Sequence, residues 1–145
     1  MSIREDITKD IVLVLQEIED PRPILVTREP FEVEKLAITQ FPAILVNATN
    51  EVRETISAGD VKVGRRAGVI EYEIRGFVRG NELDAKRNDL IESIEEALDK
   101  DRNRNQYPKV VDSQVVKIDI IKRLPPLAEF ILTYEVKYNY VRTVS

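Results

Sequence analysis

The segment Gly59-Asp60-Val61-Lys62-Val63-Gly64-Arg65-Arg66 has the two-glycine spacing of a loop that wraps phosphate. That chemistry needs a lysine after the second glycine to reach the terminal phosphates, and then a serine or threonine to hold Mg²⁺. Here both positions are arginine, and no firm strand pattern precedes Gly59, so the segment reads as a basic loop. Arg75-Gly76-Phe77-Val78-Arg79 matches the start of an RNA-recognition signature, a basic residue, a glycine and an aromatic on a strand. The match stops at Arg79 and Gly80, which stand where further apolar residues belong. Carboxylates gather at Glu17, Glu19 and Asp20, at Glu92, Glu95 and Glu96, and at Asp99 and Asp101. Acid–base catalysis requires one member of such a pair to be desolvated. All of these fall on the polar side or the end of a helical pattern, as solubilising charges do. Tyr134, Tyr138 and Tyr140 with Phe130 are spaced like a base-stacking platform. They alternate strictly with polar residues, which favours core packing; Tyr138 and Tyr140, nearest the chain end, are the two expected to leave the core and touch a neighbour. Asn47-Ala48-Thr49 is a glycosylation sequon that has meaning only in a secreted chain.

The absences narrow the chemistry further. The sequence contains no cysteine and no histidine, so thiol catalysis, any triad with a histidine base and a histidine pH switch are excluded. A zinc site would have only carboxylates to draw on, and no calcium-loop spacing is present. No catalytic, cofactor-binding or metal-binding residue is therefore assigned, and no enzymatic activity is expected. With 22 basic against 26 acidic residues, the net charge of −4 gives no general attraction to nucleic acid backbones. No apolar run approaches the roughly 20 residues needed to cross a bilayer. Met1-Ser2-Ile3-Arg4-Glu5-Asp6 lacks the apolar core of a signal peptide, so a soluble protein made in a cytoplasm is expected. At 145 residues the chain suits one domain, residues 1–145.

The elements that would position these side chains follow from periodicity. Ser2 and Glu5 form a capping-box pattern, and behind them Ile3, Ile7, Ile11, Val14, Leu15 and Ile18 repeat at helical spacing, up to Pro21. Ile24–Thr27 and Ala43–Val46 are short, β-branched and bounded by proline, and read as strands. Residues 47–68 lose the pattern and form either a functional loop or a long hairpin arm, the segment most expected to move. From Ile70 to Val78 alternate positions are apolar, with Phe77 the exception on the polar side. Asn81-Glu82-Leu83-Asp84 can cap a second helix, whose stripe is Leu83, Leu90, Ile91, Ile94, Ala97 and Leu98. A solvated loop, Asp99–Asn105, follows. Val116, Ile118 and Ile120, then a proline turn, then Phe130 to Tyr140 predict a hairpin with a long second strand, the opposite face keeping Ile131, Ile121 and Val115 among polar residues. The order predicts an α+β two-layer sandwich: two helices packed on one face of a largely antiparallel sheet, plus a loop or β-arm.

This layout resembles the tail terminator proteins of long-tailed bacteriophages. The resemblance spans nearly the whole chain and is carried by the helix Ile3–Ile18, the strand entry Phe41-Pro42-Ala43-Ile44-Leu45-Val46, the arm around Gly59–Gly68, the strand Ile70–Val78, the helix Asp89–Leu98 and the final hairpin. It implies a homohexameric ring that caps the head-proximal end of a tail, ends tube growth and joins tail to head. Its partners would be the tail tube protein, in contractile tails the sheath protein, and a head-side neck protein; DNA would pass through the channel without specific binding. On this reading Glu71, Glu73, Glu129 and Glu135 are candidates to line the channel or the ring interface. Arg65 and Arg66 in the arm, with Tyr138 and Tyr140, are candidate subunit or tail contacts. The competing readings are a head-side neck or tail-completion ring, separated by its location in the particle, and a ferredoxin-like regulatory ligand-binding module, which would show a thermal shift with a metabolite.

Overall fold

A computed structural model describes residues 2–55 and 65–141, with only the backbone described at residues 54, 55, 65, 66, 140 and 141. Helix α1 spans Ile3–Gln16, and the Ser2 hydroxyl caps it by accepting from the Glu5 amide at 3.2 Å. The predicted capping box is only half made, because the Glu5 carboxylate accepts from Arg28 instead, at 2.7 and 2.9 Å. Ile7, Ile11 and Leu15 of the stripe are completely buried. Helix α2 spans Leu83–Asp99. Its N-cap is Glu82 in a left-handed conformation, φ 53°, without a side-chain cap, so the cap expected from Asn81 is absent.

The strands are β1 (Leu25–Thr27), β2 (Ala43–Thr55), β3 (Arg65–Arg79), β4 (Val110–Ile121) and β5 (Leu127–Val141). They form one sheet in the order β1-β2-β3-β5-β4, in which β1 runs parallel to β2 and every other pair is antiparallel. The α+β sandwich predicted from the sequence is the observed fold. Of the two alternatives for residues 47–68, the described part adopts the hairpin: β2 continues past Val46, and β3 pairs with it as far as Thr55 opposite Arg66. The expectation of movement covers residues 47–68, of which 56–64 lie outside the described residues.

The main core lies between the helices and the sheet, and β5 is its spine. Phe130, Leu132, Tyr134, Val136 and Tyr138 alternate onto the helix side and are all essentially buried. Two rings lie across β3 where it has no side chain: a Cβ added at Gly76 would collide with Phe130, and one at Gly68 with Tyr138. Each buried tyrosine hydroxyl finds a partner, as burial of a polar group demands. Tyr72 bonds the Thr8 hydroxyl at 2.8 Å, Tyr134 donates to Ser113 at 2.7 Å and Tyr138 to Glu51 at 2.5 Å.

Phe77, which breaks the alternation, packs into a second small core on the other sheet face. The connection between β1 and β2 folds over that end, placing Val33 against Ala43 and Phe77, with the Phe31 ring edge-on to Phe77 at 5.5 Å. In β4 a bulge between Val115 and Lys117 resets the pattern. Val115 therefore joins the main core, not the polar face where its spacing put it. Ile118 and Ile120 face the helix side as expected yet remain 44% and 49% exposed. The loop after α2 also departs from expectation, because Arg104 within it is completely buried. Its guanidinium donates to the carbonyls of Leu98 and Asp101 and meets Asp10 of α1 at 3.3 Å. Burial raises the pKa of Asp10, and Arg104 offsets part of that rise. A buried cation thus closes the C-terminal end of α2, where carbonyls lack helical partners.

Candidate assembly surfaces

The sheet face away from the helices carries the acidic residues singled out above, and the strand register decides their company. Glu71 of β3 stands directly opposite Glu135 of β5, and Glu73 opposite Thr133. Directly opposed like charges destabilise a strand pair, so Glu71 and Glu135 are not explained by folding. Thr49 donates to both the carbonyl and the carboxylate of Glu71, at 3.2 Å. Glu73 is paired with Arg75 at 3.2 Å. The three carboxylates, all partly exposed, form a strip down the middle of the face.

Glu129 does not belong to that strip. It is 2% exposed, because it lies opposite Phe77 under the end covered by the β1–β2 connection. Arg123 donates to it from Nε at 2.6 Å and Arg75 from Nη1 at 3.4 Å, while Arg123 also reaches Glu34 at 2.8 Å and lies 5.8 Å above the Phe77 ring. The hydrogen bond to Glu129 holds the Arg123 pKa above its ordinary value. A buried carboxylate needs such compensation, so Glu129 ties the turn before β5 to the second core and is removed from the candidate channel residues.

Tyr138 is corrected in the same way: at 1% exposure its ring is core and offers no surface to a neighbour. Arg66 pairs through its backbone with Tyr140, and Arg65 with Val141; the side chains of Arg65, Arg66 and Tyr140 lie outside the described ones.

The base of the hairpin arm holds a cluster that the sequence did not disclose. A bulge between Ala48 and Asn50 turns Glu51 to the helix side, opposite Ile70. There its carboxylate accepts from Arg4 Nε at 2.5 Å, Arg53 Nε at 2.7 Å and the Tyr138 hydroxyl at 2.5 Å. Burial raises the Glu51 pKa, but the hydrogen bonds from Arg4, Tyr138 and Arg53 outweigh it and hold the group at about 2. The arm is thereby pinned at its root to both α1 and β5. No metal-binding group of histidine, cysteine or carboxylate side chains occurs among the described residues.

No protein-family model matches the sequence, and no curated protein does. The fold does have a counterpart among solved structures. A chain in the structure "Virion of native gene transfer agent (GTA) particle" matches with a TM-score of 0.53 at 8% identity, covering 96% of this chain and 96% of that one. At that identity the likeness is one of fold, and it extends from end to end.

Proposed function

We propose that this chain is a structural protein of a phage-like virion, acting by assembly and not by catalysis. Within the particle we assign it to the head-proximal end of the tail, as the ring that ends tube growth and joins tail to head. The observation that carries this reading is the end-to-end likeness of fold to a chain of a virion particle. The hairpin arm, rooted rigidly through Glu51, suits contact with the tail tube or a neighbouring subunit. The acidic strip Glu71, Glu73 and Glu135 suits a channel wall, since negative walls repel phosphates and keep a duplex from adhering. A ring also needs two different patches that close by rotation.

Particles assembled without this chain provide the test. Tails of irregular, excessive length are expected, because nothing stops the tube. Tails of uniform length that fail to join heads would shift the assignment to a head-side neck ring. Complete particles of normal length and infectivity would remove the virion reading altogether.

A further inference from the structure

The helical layer is narrower than the sheet beneath it. α1 lies against β1 and β2, and α2 against β3 and β5 with only the margin of β4. The helix-side face of edge strand β4 is therefore an open shelf. Ile118 and Ile120 point to that side, since their register partners are the buried Leu132 and Phe130. They are nonetheless about half exposed, and Leu124 beyond them is 87% exposed. Between this shelf and the first turns of α2 runs a groove of about 440 Å³ bordered by Leu83, Arg87, Ile120 and Leu124. Cations outnumber carboxylates on it, Arg87, Lys122 and Arg123 against Asp84; Asp84 pairs with Arg87 Nη2 at 2.9 Å, while Arg87 Nε is buried without a hydrogen-bond partner among the described residues.

The opposite edge of the molecule presents the reverse combination. α1 turns Leu13, 52% exposed, away from the sheet. Glu17 lies one turn further on the same face, and Glu19 follows; both are exposed, with Lys9 one turn before. The 14 residues of α1 make a rod of about 21 Å, and the stretch from Val116 to Ile121 extends roughly 17 Å. The lengths and charges are complementary, and the two surfaces sit on opposite edges of one sheet.

We propose that a second copy of this chain lays its α1 on the open β4 shelf, in the vacant third position of the helical layer. Leu13 of the incoming copy enters the groove beside Ile120 and Leu124, and the acidic end of its α1 meets Arg87 and Lys122. Because the two surfaces differ, the contact is head-to-tail and repeats until rotation closes it. The contact stands on the surfaces described; its closure into a ring rests on the function proposed above.

The test uses the full chain, with mass in solution read by light scattering. Wild type is expected to form a multiple of the 16.7 kDa subunit. Leu13→Asp alone and Ile118→Asp/Ile120→Asp alone are each expected to be monomeric. Mixed in equal amounts they should give a species of two chains and nothing larger, because only one intact contact remains in the pair. Leu124→Asp, at a side chain that belongs to neither core, should abolish assembly with no route through folding. Wild-type mass retained in both surface variants overturns the inference and leaves the ring reading standing. A mixture that yields no two-chain species overturns the head-to-tail pairing. Wild type that is monomeric at every concentration overturns the inference and the ring reading together.

Discussion

A methyl group at position 76 has nowhere to go, since the Phe130 ring occupies the space over β3 where a Cβ would stand. Alanine is ordinarily a better residue than glycine inside a regular element, so the two effects oppose each other. Overpacking a dense core costs about 1–3 kcal/mol and wins. Gly76→Ala is expected to lower the free energy of unfolding in urea by that amount; an unchanged midpoint would mean that Phe130 does not cover β3. Arg104 is a second residue whose role is decided by its burial. Removing one member of a buried ion pair costs about 3–5 kcal/mol, because the other is left uncompensated. Arg104→Met should therefore destabilise the fold by about 3 kcal/mol. Adding Asp10→Asn should recover part of the loss, and strict additivity in this double-mutant cycle would refute the coupling.

Among the elements, the hairpin arm has a pH dependence that can be worked out in advance. Glu51 is held at about 2 against an ordinary value of 4.5, so its stabilising effect is complete above 4.5 and fades as the pH falls toward 2. Glu51→Gln should thus melt at a lower temperature than wild type at neutral pH, with the gap closing between those two values. A gap that stays constant down to pH 2 would show that the carboxylate's charge contributes nothing. The sequence disclosed the elements wherever one face alone is dry: the α1 stripe Ile7, Ile11 and Leu15, and the alternation from Phe130 to Tyr138. It concealed whatever depends on a register or on a distant segment. The bulge beyond Ala48, which brings Glu51 to Arg4, leaves no mark in residue types. The bulge at Val115–Lys117 likewise misassigned Val115. Phe77 and Glu129 looked exposed because their cover, the β1–β2 connection, has no periodicity of its own. Arg104 looked solvated because its partner Asp10 is remote in sequence. Of the eight site candidates, Glu71, Glu73 and Glu135 lie partly exposed on one sheet face, while Glu129 and Tyr138 are buried and went to structural duties.

For the molecule as a whole, on the channel role proposed above, the register of Glu71 against Glu135 sets stability and function at odds. Glu135→Lys turns a repulsive cross-strand pair into an attractive one, a gain of about 0.2–1 kcal/mol. The variant should unfold at a higher urea concentration than wild type, and with Glu73→Lys added it should deliver DNA less well, because the strip then attracts phosphate. Undiminished delivery would take the channel role from this face. The order β1-β2-β3-β5-β4 has one more consequence, for time and not for energy. The strand between β3 and β4 is β5, which follows both along the chain, and its nearest contact with β3, Leu127 opposite Arg79, already closes a span of about 50 residues. Until β5 pairs, β4 has no neighbour in the described sheet and β3 has only β2, so the β4 shelf is not yet formed. The β4 shelf is therefore among the last of the described surfaces to take shape, since it waits on β5.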